Sequence, residues 1–388
     1  MNTTLLGGII FVVVFDGIIL LHELGHFMVA RLLHMGVEEF AIGFPPRILG
    51  VVKDSTNKWH LFFGQNVSPL GDPAHSHTIY SLNWIPLGGF NKIKGEDDPN
   101  VPDGMYAANP WKRIVMLLAG ASMNLLTAVV AYTIFFSQVG IPDTHTAVVA
   151  SVETASPAQT AGLQVGDVIV AANGEHITGY PLLINITHQF LGKPLALIIL
   201  RNGKEVNITI TPRAVYPATQ GPMGIGIGEP LLPAQTWFAT IPSAFAATGQ
   251  DINTLLALPG RLIAGTVSPQ EAQIGGPRSV WNLFQQAVAK DVSTREAAAS
   301  GATAAPPTNY TLLTIISLTI TVAVANLLPI PALDGGHIFM TLPEIFFRRR
   351  IPAKYQVMIN TIGFFLLIGL LGFFYVKDII SPVNFTLP

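Results

Sequence analysis

Three residues in the first apolar stretch of the chain have the types and the spacing of a zinc-dependent hydrolase. His22, Glu23 and His26 form the pattern H-E-x-x-H. Residues four positions apart lie on one face of a helix, so both imidazoles can reach one Zn²⁺ ion at about 2.0–2.1 Å. The glutamate can then take a proton from a metal-bound water. The motif therefore predicts a zinc site with Glu23 as its catalytic base.

The third protein ligand of a catalytic zinc site has to come from elsewhere in the chain. A distant apolar stretch offers Asp334, in the run N-L-L-P-I-P-A-L-D-G-G-H that begins at Asn326. The two prolines of this run break a helix, and the two glycines after the aspartate permit a tight turn. We predict Asp334 as the third metal ligand. His337 is the competing candidate, which we interpret as a polar residue at the end of the span.

Other polar residues with metal-binding potential have plainer interpretations. His75 and His77 form an H-x-H pair that reads as part of a solvated loop, with metal binding as the alternative. Asp16 lies two helical turns before Glu23, on roughly the same helix face. Asp16 is expected either to support the metal site or to line a hydrated cavity, and the sequence leaves both alternatives open.

The composition is that of a membrane protein. Of the 388 residues, 50% are hydrophobic and 11% are charged, against about a quarter charged in ordinary soluble proteins. A net charge of −2 argues against nucleic acid as a partner, because nucleic-acid-binding proteins usually carry a basic patch. The absence of cysteine excludes disulfides, thiolate metal ligands and a cysteine nucleophile.

Four apolar runs are long enough to cross about 30 Å of hydrocarbon, and the lipid bilayer is thus an expected partner. They are Leu5–Leu33, Ile114–Gln138, Leu312–Leu333 and Met358–Val376. Lys and Arg are dense between the first two runs and after the third, which favours a cytoplasmic position for both segments. The first and third spans then run in the same direction. This topology brings the H-E-x-x-H motif and Asp334 to the cytoplasmic side.

The stretch between spans two and three begins with a β-rich domain, over about Thr146–Pro212. Ser156 can cap a short helix that starts at Pro157, and Gly162 suits the left-handed residue that ends it. Asn173–Gly174 and Asn202–Gly203 have the composition of hairpin turns. Beyond this domain we predict short amphipathic helices at Trp237–Phe245, Ile252–Ala264 and Val280–Val288, then a loose tether over Ser293–Asn309.

The motifs together resemble the site-2 protease family of intramembrane zinc metalloproteases, and within it the bacterial sigma-E regulator protease group. The run from His22 matches the family's H-E-x-G-H-F pattern, and the run from Asn326 to Asp334 matches N-x-x-P-x-P-x-L-D-G. The resemblance implies that His22, His26 and Asp334 hold zinc. It also implies that Asn326 helps to hold the substrate or the reaction intermediate.

Two further stretches carry the resemblance into the loop between the first two spans. Gly43 and Phe44 match a G-F-x segment, and Gly88, Gly89 and Phe90 belong to a P-L-G-G stretch. In the family this region is a membrane-re-entrant β element near the active site. The resemblance implies that these five residues contact an extended substrate.

The β-rich domain resembles the circularly permuted PDZ domain of bacterial proteases. Such domains bind extended peptides or C-termini by adding a strand to a sheet edge. The alternative is a domain that acts only as steric bulk over the site. Two departures from the family pattern stand out: Ala121 follows Gly120 where relatives usually have proline, and one PDZ domain is present where enterobacterial relatives have two.

The expected fold is a polytopic α-helical membrane protein with four transmembrane helices, a cytoplasmic membrane-associated β element and one extracytoplasmic PDZ domain. Its expected segments are helix 1 with the H-E-x-x-H motif (1–33), the cytoplasmic loop with the β element (34–112), helix 2 (113–139), the PDZ domain (140–214), amphipathic helices and linker (215–310), helix 3 (311–334), a cytoplasmic basic loop (335–356) and helix 4 (357–380).

The expected function is intramembrane zinc endopeptidase activity in the inner (cytoplasmic) membrane. Its substrates would be single-span membrane proteins, such as pre-trimmed anti-sigma factors or remnant signal peptides. One alternative is a catalytically inactive membrane scaffold that displays a PDZ domain, although such a scaffold has no need of Glu23. The other is an ion transporter, for which one metal motif without an evident second site makes a poor pathway.

Overall fold

The computed structural model describes residues 3–54, 56–64, 78–96, 98, 101–143, 145–217, 220–228, 231–232, 236–264, 275–300 and 309–381. The chain forms two compact units. The first, here called the helical unit, comprises Met1–Phe135 and Ile241–Pro388, and the second, the β-rich unit, comprises Phe136–Thr240. The predicted pair His75 and His77 lies outside the described residues.

Helices and strands alternate in blocks along the chain. The helices are α1 (Thr3–Leu32), α2 (Pro110–Val139), α3 (Pro157–Thr160), α4 (Tyr180–Gln189), α5 (Trp237–Ile263), α6 (Pro277–Ala299), α7 (Tyr310–Leu327), α8 (Asp334–Phe347) and α9 (Ala353–Ile380). The strands are β1 (Val37–Lys53), β2 (Trp59–Phe63), β3 (Ile79–Ile93), β4 (Ile141–Pro142), β5 (Ala147–Val152), β6 (Val168–Ala172), β7 (Glu175–His176), β8 (Leu195–Arg201), β9 (Lys204–Ile210), β10 (Ile225–Gly228) and β11 (Leu231–Leu232).

Four helices among the described residues are long and apolar enough to cross a membrane, namely α1, α2, α7 and α9. The four predicted spans are thereby confirmed, and the chain is a multi-pass membrane protein. The third span is shorter than predicted, because α7 ends at Leu327 and not at residue 334. Pro329 and Pro331 lack the backbone N–H groups that would continue the helix.

Helix α6 joins the ends of three of these spans. Asp378, near the end of α9, accepts hydrogen bonds from the backbone N–H groups of Gly276 and Ser279, at 3.1 and 2.9 Å. Asp291, on α6, accepts hydrogen bonds from the first two N–H groups of α7, at 2.8 and 2.9 Å. Each carboxylate thus satisfies N–H groups that have no partner within their own helix.

Aromatic packing attaches α6 to the first part of α1. The Phe11 ring lies 5.1 Å from the ring of Trp281 and 5.5 Å from that of Phe284, both in edge-on geometry. The beginning of α1, the beginning of α7 and the end of α9 therefore lie on the same side of the helical unit. Helices α1 and α7 run in one direction and α9 in the other, as the predicted alternation requires.

The loop between α1 and α2 forms an antiparallel sheet in the order β2-β1-β3. Strands β1 and β3 are long and bent, so each pairs with the other twice: Ile42 lies opposite both Leu82 and Gly89. The bend of β1 falls at Gly43, whose φ of +79° is readily adopted by glycine. A methyl group at Gly43 would lie 2.5 Å from the carbonyl oxygen of Ile85, so the bend also depends on the missing side chain.

The β-rich unit is built around a sheet in the order β10-β5-β6-β8-β9, with β7 paired to β6. Its core is aliphatic and includes Val149, Leu183, Leu195, Leu197, Ile199 and Ile210, all almost fully buried. The helix cap at Ser156 and both hairpin turns form as predicted, with positive φ at each Asn and Gly of the turns. The sheet continues beyond residue 214, because β10 pairs with β5, and the predicted boundary was therefore too early.

Three further expectations differ from the structure. The first two predicted amphipathic segments form one helix, α5, and the third extends into the longer α6. The start of the predicted tether, up to Ala299, is helical, while residues 301–308 lie outside the described residues. The predicted basic loop over 335–356 contains α8, which is apolar on several faces and ends where the arginines begin.

Candidate metal centre and active site

Three side chains of the helical unit meet in a triangle. The Nε2 atoms of His22 and His26 lie 3.1 Å apart, and they lie 3.1 and 3.2 Å from Oδ2 of Asp334. Both histidines are buried, with 7% and 6% of their surface exposed. The structure thus brings together residues that are more than 300 positions apart in the sequence, and it does so at one point between α1 and the start of α8.

The two histidines come from one face of α1, and a hydrogen bond fixes the protonation of the second one. Nδ1 of His26 lies 2.9 Å from the carbonyl oxygen of Met116 on α2, to which it can only donate. In a neutral imidazole the proton is then on Nδ1 and the lone pair is on Nε2, the atom that faces Asp334. This is the arrangement that a metal-binding histidine needs.

Asp334 reaches the histidines because the chain unwinds between α7 and α8. Asp334 follows Pro331 by three residues, and α9 contacts the segment between the second proline and Asp334. The side-chain oxygen of Asn360 accepts a hydrogen bond from the Ala332 N–H at 3.4 Å. A methyl group at Gly363 would lie 2.3 Å from Cβ of Pro331, so α9 approaches the unwound segment as closely as a glycine allows.

Two glycines let α1 and α2 approach each other at the site. A methyl group at Gly25 would lie 2.5 Å from the carbonyl oxygen of Ala119. One at Gly120 would lie 2.3 Å from Nε2 of His26 and 2.8 Å from Nε2 of His22. Sequence analysis missed the role of Gly120 and of the Met116 carbonyl. The presence of a glycine inside the second span was a signal that could have indicated a close helix contact at Gly120. No feature of the sequence indicates which backbone carbonyl a histidine will bond.

The three side chains fit a zinc ion. Ligand atoms at 2.0–2.1 Å from a tetrahedral Zn²⁺ lie about 3.3 Å from one another, close to the separations found here. Two imidazole nitrogens and one carboxylate oxygen form a donor set that zinc accepts. Oδ2 of Asp334 is buried, and the described part of the chain gives it no hydrogen bond. A buried carboxylate oxygen of this kind needs a cation or a donor, and a metal ion held by these three ligands would supply one.

Glu23 and Asn326 lie beside the triangle. The carboxylate of Glu23 interacts electrostatically with both histidines and with Asp334, and it accepts a hydrogen bond from the backbone N–H of Asn91 on β3. The side-chain nitrogen of Asn326, on the last turn of α7, lies 3.4 Å from Nε2 of His22. A carboxylate and an amide therefore adjoin the candidate metal position from different helices.

The competing ligand His337 lies away from the triangle. Its Nε2 atom is 3.2 Å from the side-chain nitrogen of Asn360, and it is not among the three ligands that meet one another. Asp16 is likewise not among the three ligands, and its carboxylate accepts a hydrogen bond from the backbone N–H of Gly88 at 2.8 Å.

The five residues expected to contact substrate lie on the β element. The rings of Phe44 and Phe90 stack with centroids 6.4 Å apart, next to the bend at Gly43. Gly88 and Gly89 lie against α1: a methyl group at Gly88 would be 3.2 Å from Ile19. One at Gly89 would be 2.5 Å from the carbonyl oxygen of Ala41 on the paired strand. The strand that carries these glycines thus packs directly on the helix that carries the two histidines.

A comparison of the sequence with models of protein families identifies the family to which the chain belongs. The model of peptidase family M50 matches residues 10–71 and 68–370, which include the whole candidate site. The chain belongs to peptidase family M50. Its family and its metal-binding triangle together make it a zinc metalloprotease, with His22, His26 and Asp334 as the candidate zinc site.

Individual relatives agree with this assignment over nearly the full chain. A candidate zinc metalloprotease of Clostridium perfringens is 32% identical over 377 residues, covering 95% of this chain and 97% of the relative. The metalloprotease MmpA of Caulobacter vibrioides is 26% identical over 388 residues, covering 92% and 91%. Among solved structures, an HtrA-type protease with a decapeptide matches at 16% identity and a TM-score of 0.17, over 50% of this chain and 63% of that one.

Proposed function

We propose that this M50 metalloprotease is an intramembrane endopeptidase of the sigma-E regulator protease type. Its substrates would be single-span membrane proteins, such as pre-trimmed anti-sigma factors or remnant signal peptides. The observation that carries the proposal is the position of the triangle: two of its ligands lie within α1, and the third begins α8, seven residues after the end of α7. Both α1 and α7 can span a membrane. Ionisable groups at such depth are costly and usually functional.

The proposed reaction is hydrolysis of a peptide bond, and each residue at the site has one role. His22, His26 and Asp334 would hold the metal, which would supply Lewis-acid polarisation of the scissile carbonyl and a lowered pKa of the attacking water. Glu23 accepts the proton of the attacking water and returns it to the leaving amine. The amide of Asn326 donates to the substrate carbonyl as negative charge develops on its oxygen. The hydrogen bond from Asn91 orients the Glu23 carboxylate.

We further propose that the substrate lies against the β element as an extended strand. A transmembrane helix has its peptide bonds closed by internal hydrogen bonds, so it must unwind before a protease can reach them. The β element offers such a strand both backbone and an aromatic surface. The backbone is that of Gly43, Gly88 and Gly89 at the bends, and the aromatic surface beside it consists of Phe44 and Phe90. Pairing of an extended chain with exposed strand backbone is a common mode of peptide recognition.

The β-rich unit has a groove that suits a PDZ-like role. It runs between α4 and the edge strand β10, and its lining includes Tyr180, Ile184, His188, Met223 and Ile225. We propose that this unit filters substrates, by binding an extended peptide or C-terminus in the groove or by excluding large ectodomains. Competition of a hexapeptide with substrate cleavage separates the two: inhibition supports binding, and its absence supports exclusion.

We propose that both termini and the β-rich unit lie outside the cytoplasm of an inner membrane, with the metal site toward the cytoplasmic side. The basic run Arg348–Arg350 with Lys354 supports this orientation. Because the chain has no cysteine, Lys354→Cys would carry its single thiol. The thiol should react with a membrane-impermeant maleimide only in inverted vesicles. Labelling in intact spheroplasts would instead indicate the opposite orientation.

The decisive experiment compares the wild type with Glu23→Gln on a single-span reporter in detergent micelles. Glutamine keeps the shape and both histidines, so zinc content should remain at about one ion per chain, but it cannot accept a proton. Cleavage within the span by the wild type and loss of at least about 10³-fold in the variant are expected. Equal cleavage by both would refute the mechanism. Capture of the reporter without cleavage by either protein would instead favour the inactive scaffold.

A further inference from the structure

Asp16 is a carboxylate within a helix long enough to span the membrane, and the proposed chemistry does not use it. Its Oδ1 atom accepts a hydrogen bond from the backbone N–H of Gly88 at 2.8 Å. A charged group within a membrane span costs several kcal/mol in insertion, so its presence calls for a function. The contact links the first span directly to the β element.

This contact is one of a series along a single face of α1. Asp16, Ile19, Leu20 and Glu23 are spaced as i, i+3, i+4 and i+7, and they therefore form one stripe on the helix. Ile19 packs on Gly88 and Leu20 packs on Gly89. Glu23 accepts a hydrogen bond from the backbone N–H of Asn91, which lies three residues after Gly88 on β3. The strand segment from Gly88 to Asn91 thus follows this stripe of α1.

The two carboxylates contact β3 at points whose spacings match. From Asp16 to Glu23 the helix rises about 10.5 Å, at 1.5 Å per residue. From Gly88 to Asn91 the strand advances about 10 Å, at 3.3 Å per residue. Asp16 therefore bonds to one end of the segment, at Gly88, and Glu23 bonds to the other end, at Asn91. A shift of β3 by one residue would break both hydrogen bonds together, so the pair defines one register.

We propose that Asp16 is a positioning residue that fixes the register of β3 along α1, and thereby the register in which the substrate is presented to Glu23. This inference rests on the proposed function, in which an extended substrate pairs with the β element. Gly88 and Gly89 lie at the centre of that element, so their position relative to the catalytic base sets which peptide bond is cleaved. Asp16 acts on the reaction through β3 and does not touch the reacting atoms.

The test measures where the reporter is cut as well as how fast. Asp16→Ala removes the acceptor, Asp16→Asn keeps a neutral acceptor, and Val13→Ala is the matched control on an exposed position of the same helix. Mass spectrometry of the products, kcat and KM, and zinc content are measured for each variant. For Asp16→Ala we expect cleavage at two or more neighbouring bonds, kcat/KM lowered about tenfold, and unchanged zinc content. Asp16→Asn should restore the single site and most of the rate.

Two results would overturn the proposal. Cleavage by Asp16→Ala at the wild-type bond alone, whatever the rate, would show that Asp16 does not set register. Equal loss of zinc from Asp16→Ala and Asp16→Asn, with Val13→Ala unaffected, would show that its charge supports the metal site instead. Failure of the proposed function is separate, because the wild type would then not cut the reporter, or Glu23→Gln would cut it as well.

Discussion

Two aspartates with buried carboxylate oxygens, Asp167 and Asp334, illustrate the difference between a carboxylate that holds a fold and one that can hold a ligand. Asp167 in the β-rich unit accepts two hydrogen bonds from Arg201, both at 2.7 Å, and one from the Gln164 N–H at 2.8 Å. Asp334 in the helical unit has a buried oxygen, directed at two imidazoles, that receives no hydrogen bond from the described residues. Burial alone does not distinguish structure from function, whereas the satisfaction of the buried atoms does.

The strongest contrast should come from the same substitution made in both aspartates. Asp334→Asn replaces an anionic ligand by a neutral amide, so zinc content after dialysis should fall from about one ion per chain to below about a tenth, with cleavage lowered at least about 10³-fold. Elemental analysis and the reporter assay measure both. Asp167→Asn should keep full zinc content. Retention of zinc by Asp334→Asn would remove this residue from the ligand set.

A methyl group at Gly120 should disturb the site although all three ligand residues are kept. The added Cβ would lie 2.3 Å from Nε2 of His26, so Gly120→Ala must displace an imidazole or separate α1 from α2. Zinc affinity, measured by competition with a chelator, should fall about 10- to 100-fold. Gly17→Ala is the control, because no atom among the described residues lies within 4 Å of its added methyl. Equal affinity in both variants would mean that the helices adapt freely.

The loss of Asp167 should weaken the β-rich unit and leave the metal site intact. Asp167→Ala removes three accepted hydrogen bonds, so the free energy of unfolding of this unit should fall by about 1–3 kcal/mol. Hydrogen exchange of its peptides in the full chain measures this change. Unchanged protection in β6 and β8 would indicate that Arg201 and the backbone find other partners.

The same residue should make the stability of the β-rich unit depend on pH. The Arg201 guanidinium holds the pKa of Asp167 below its ordinary value. A depressed folded pKa contributes stability that is present above the unfolded value of about 3.9 and is lost as the pH falls through the folded value. Pulse proteolysis with pepsin should therefore show wild-type stability declining below about pH 4. In Asp167→Ala this part of the decline should be missing.

The smallest effect is expected at Asn360, which supports the metal site from a distance. Asn360→Ala removes the bond to the Ala332 N–H, in the segment before Asp334, and the contact with His337, on α8 just after it. We expect kcat lowered about two- to fivefold with zinc retained. Thr361→Ala is the control, since that hydroxyl bonds within its own helix. A loss of zinc from Asn360→Ala would make Asn360 part of the metal site proper.

The local parts of the site could be predicted from sequence because they depend on helix geometry alone. The spacing of His22 and His26 places both on one face of any helix. Asp334 needed two more arguments, the proline break and the relative direction of the spans. Both hairpin turns of the β-rich unit were equally local, since Asn-Gly between apolar runs specifies its own backbone conformation.

Features that depend on contacts between distant segments could not be predicted. The partner of Asp16 is a backbone N–H some 70 positions away, and no side-chain pattern marks it. Strand β10 follows an irregular stretch after Pro212, so its pairing with β5 left no periodic signal. Two separate segments were predicted over Trp237–Phe245 and Ile252–Ala264, yet α5 runs without a break from Trp237 to Ile263 and contains both Pro242 and Pro259.

The contacts of α6 with the first, third and fourth spans can form only late during synthesis, because α6 lies in the last third of the chain. Helix α1 carries His22 and His26 and packs on α6. Helix α6 is made more than 240 residues later. Asp334 and the part of α9 that supports it follow still later. A growing chain therefore carries two histidines without their carboxylate partner, and a first span that packs on β3 before α6 exists. The set of candidate metal ligands is complete only when Asp334 has been made, late in synthesis.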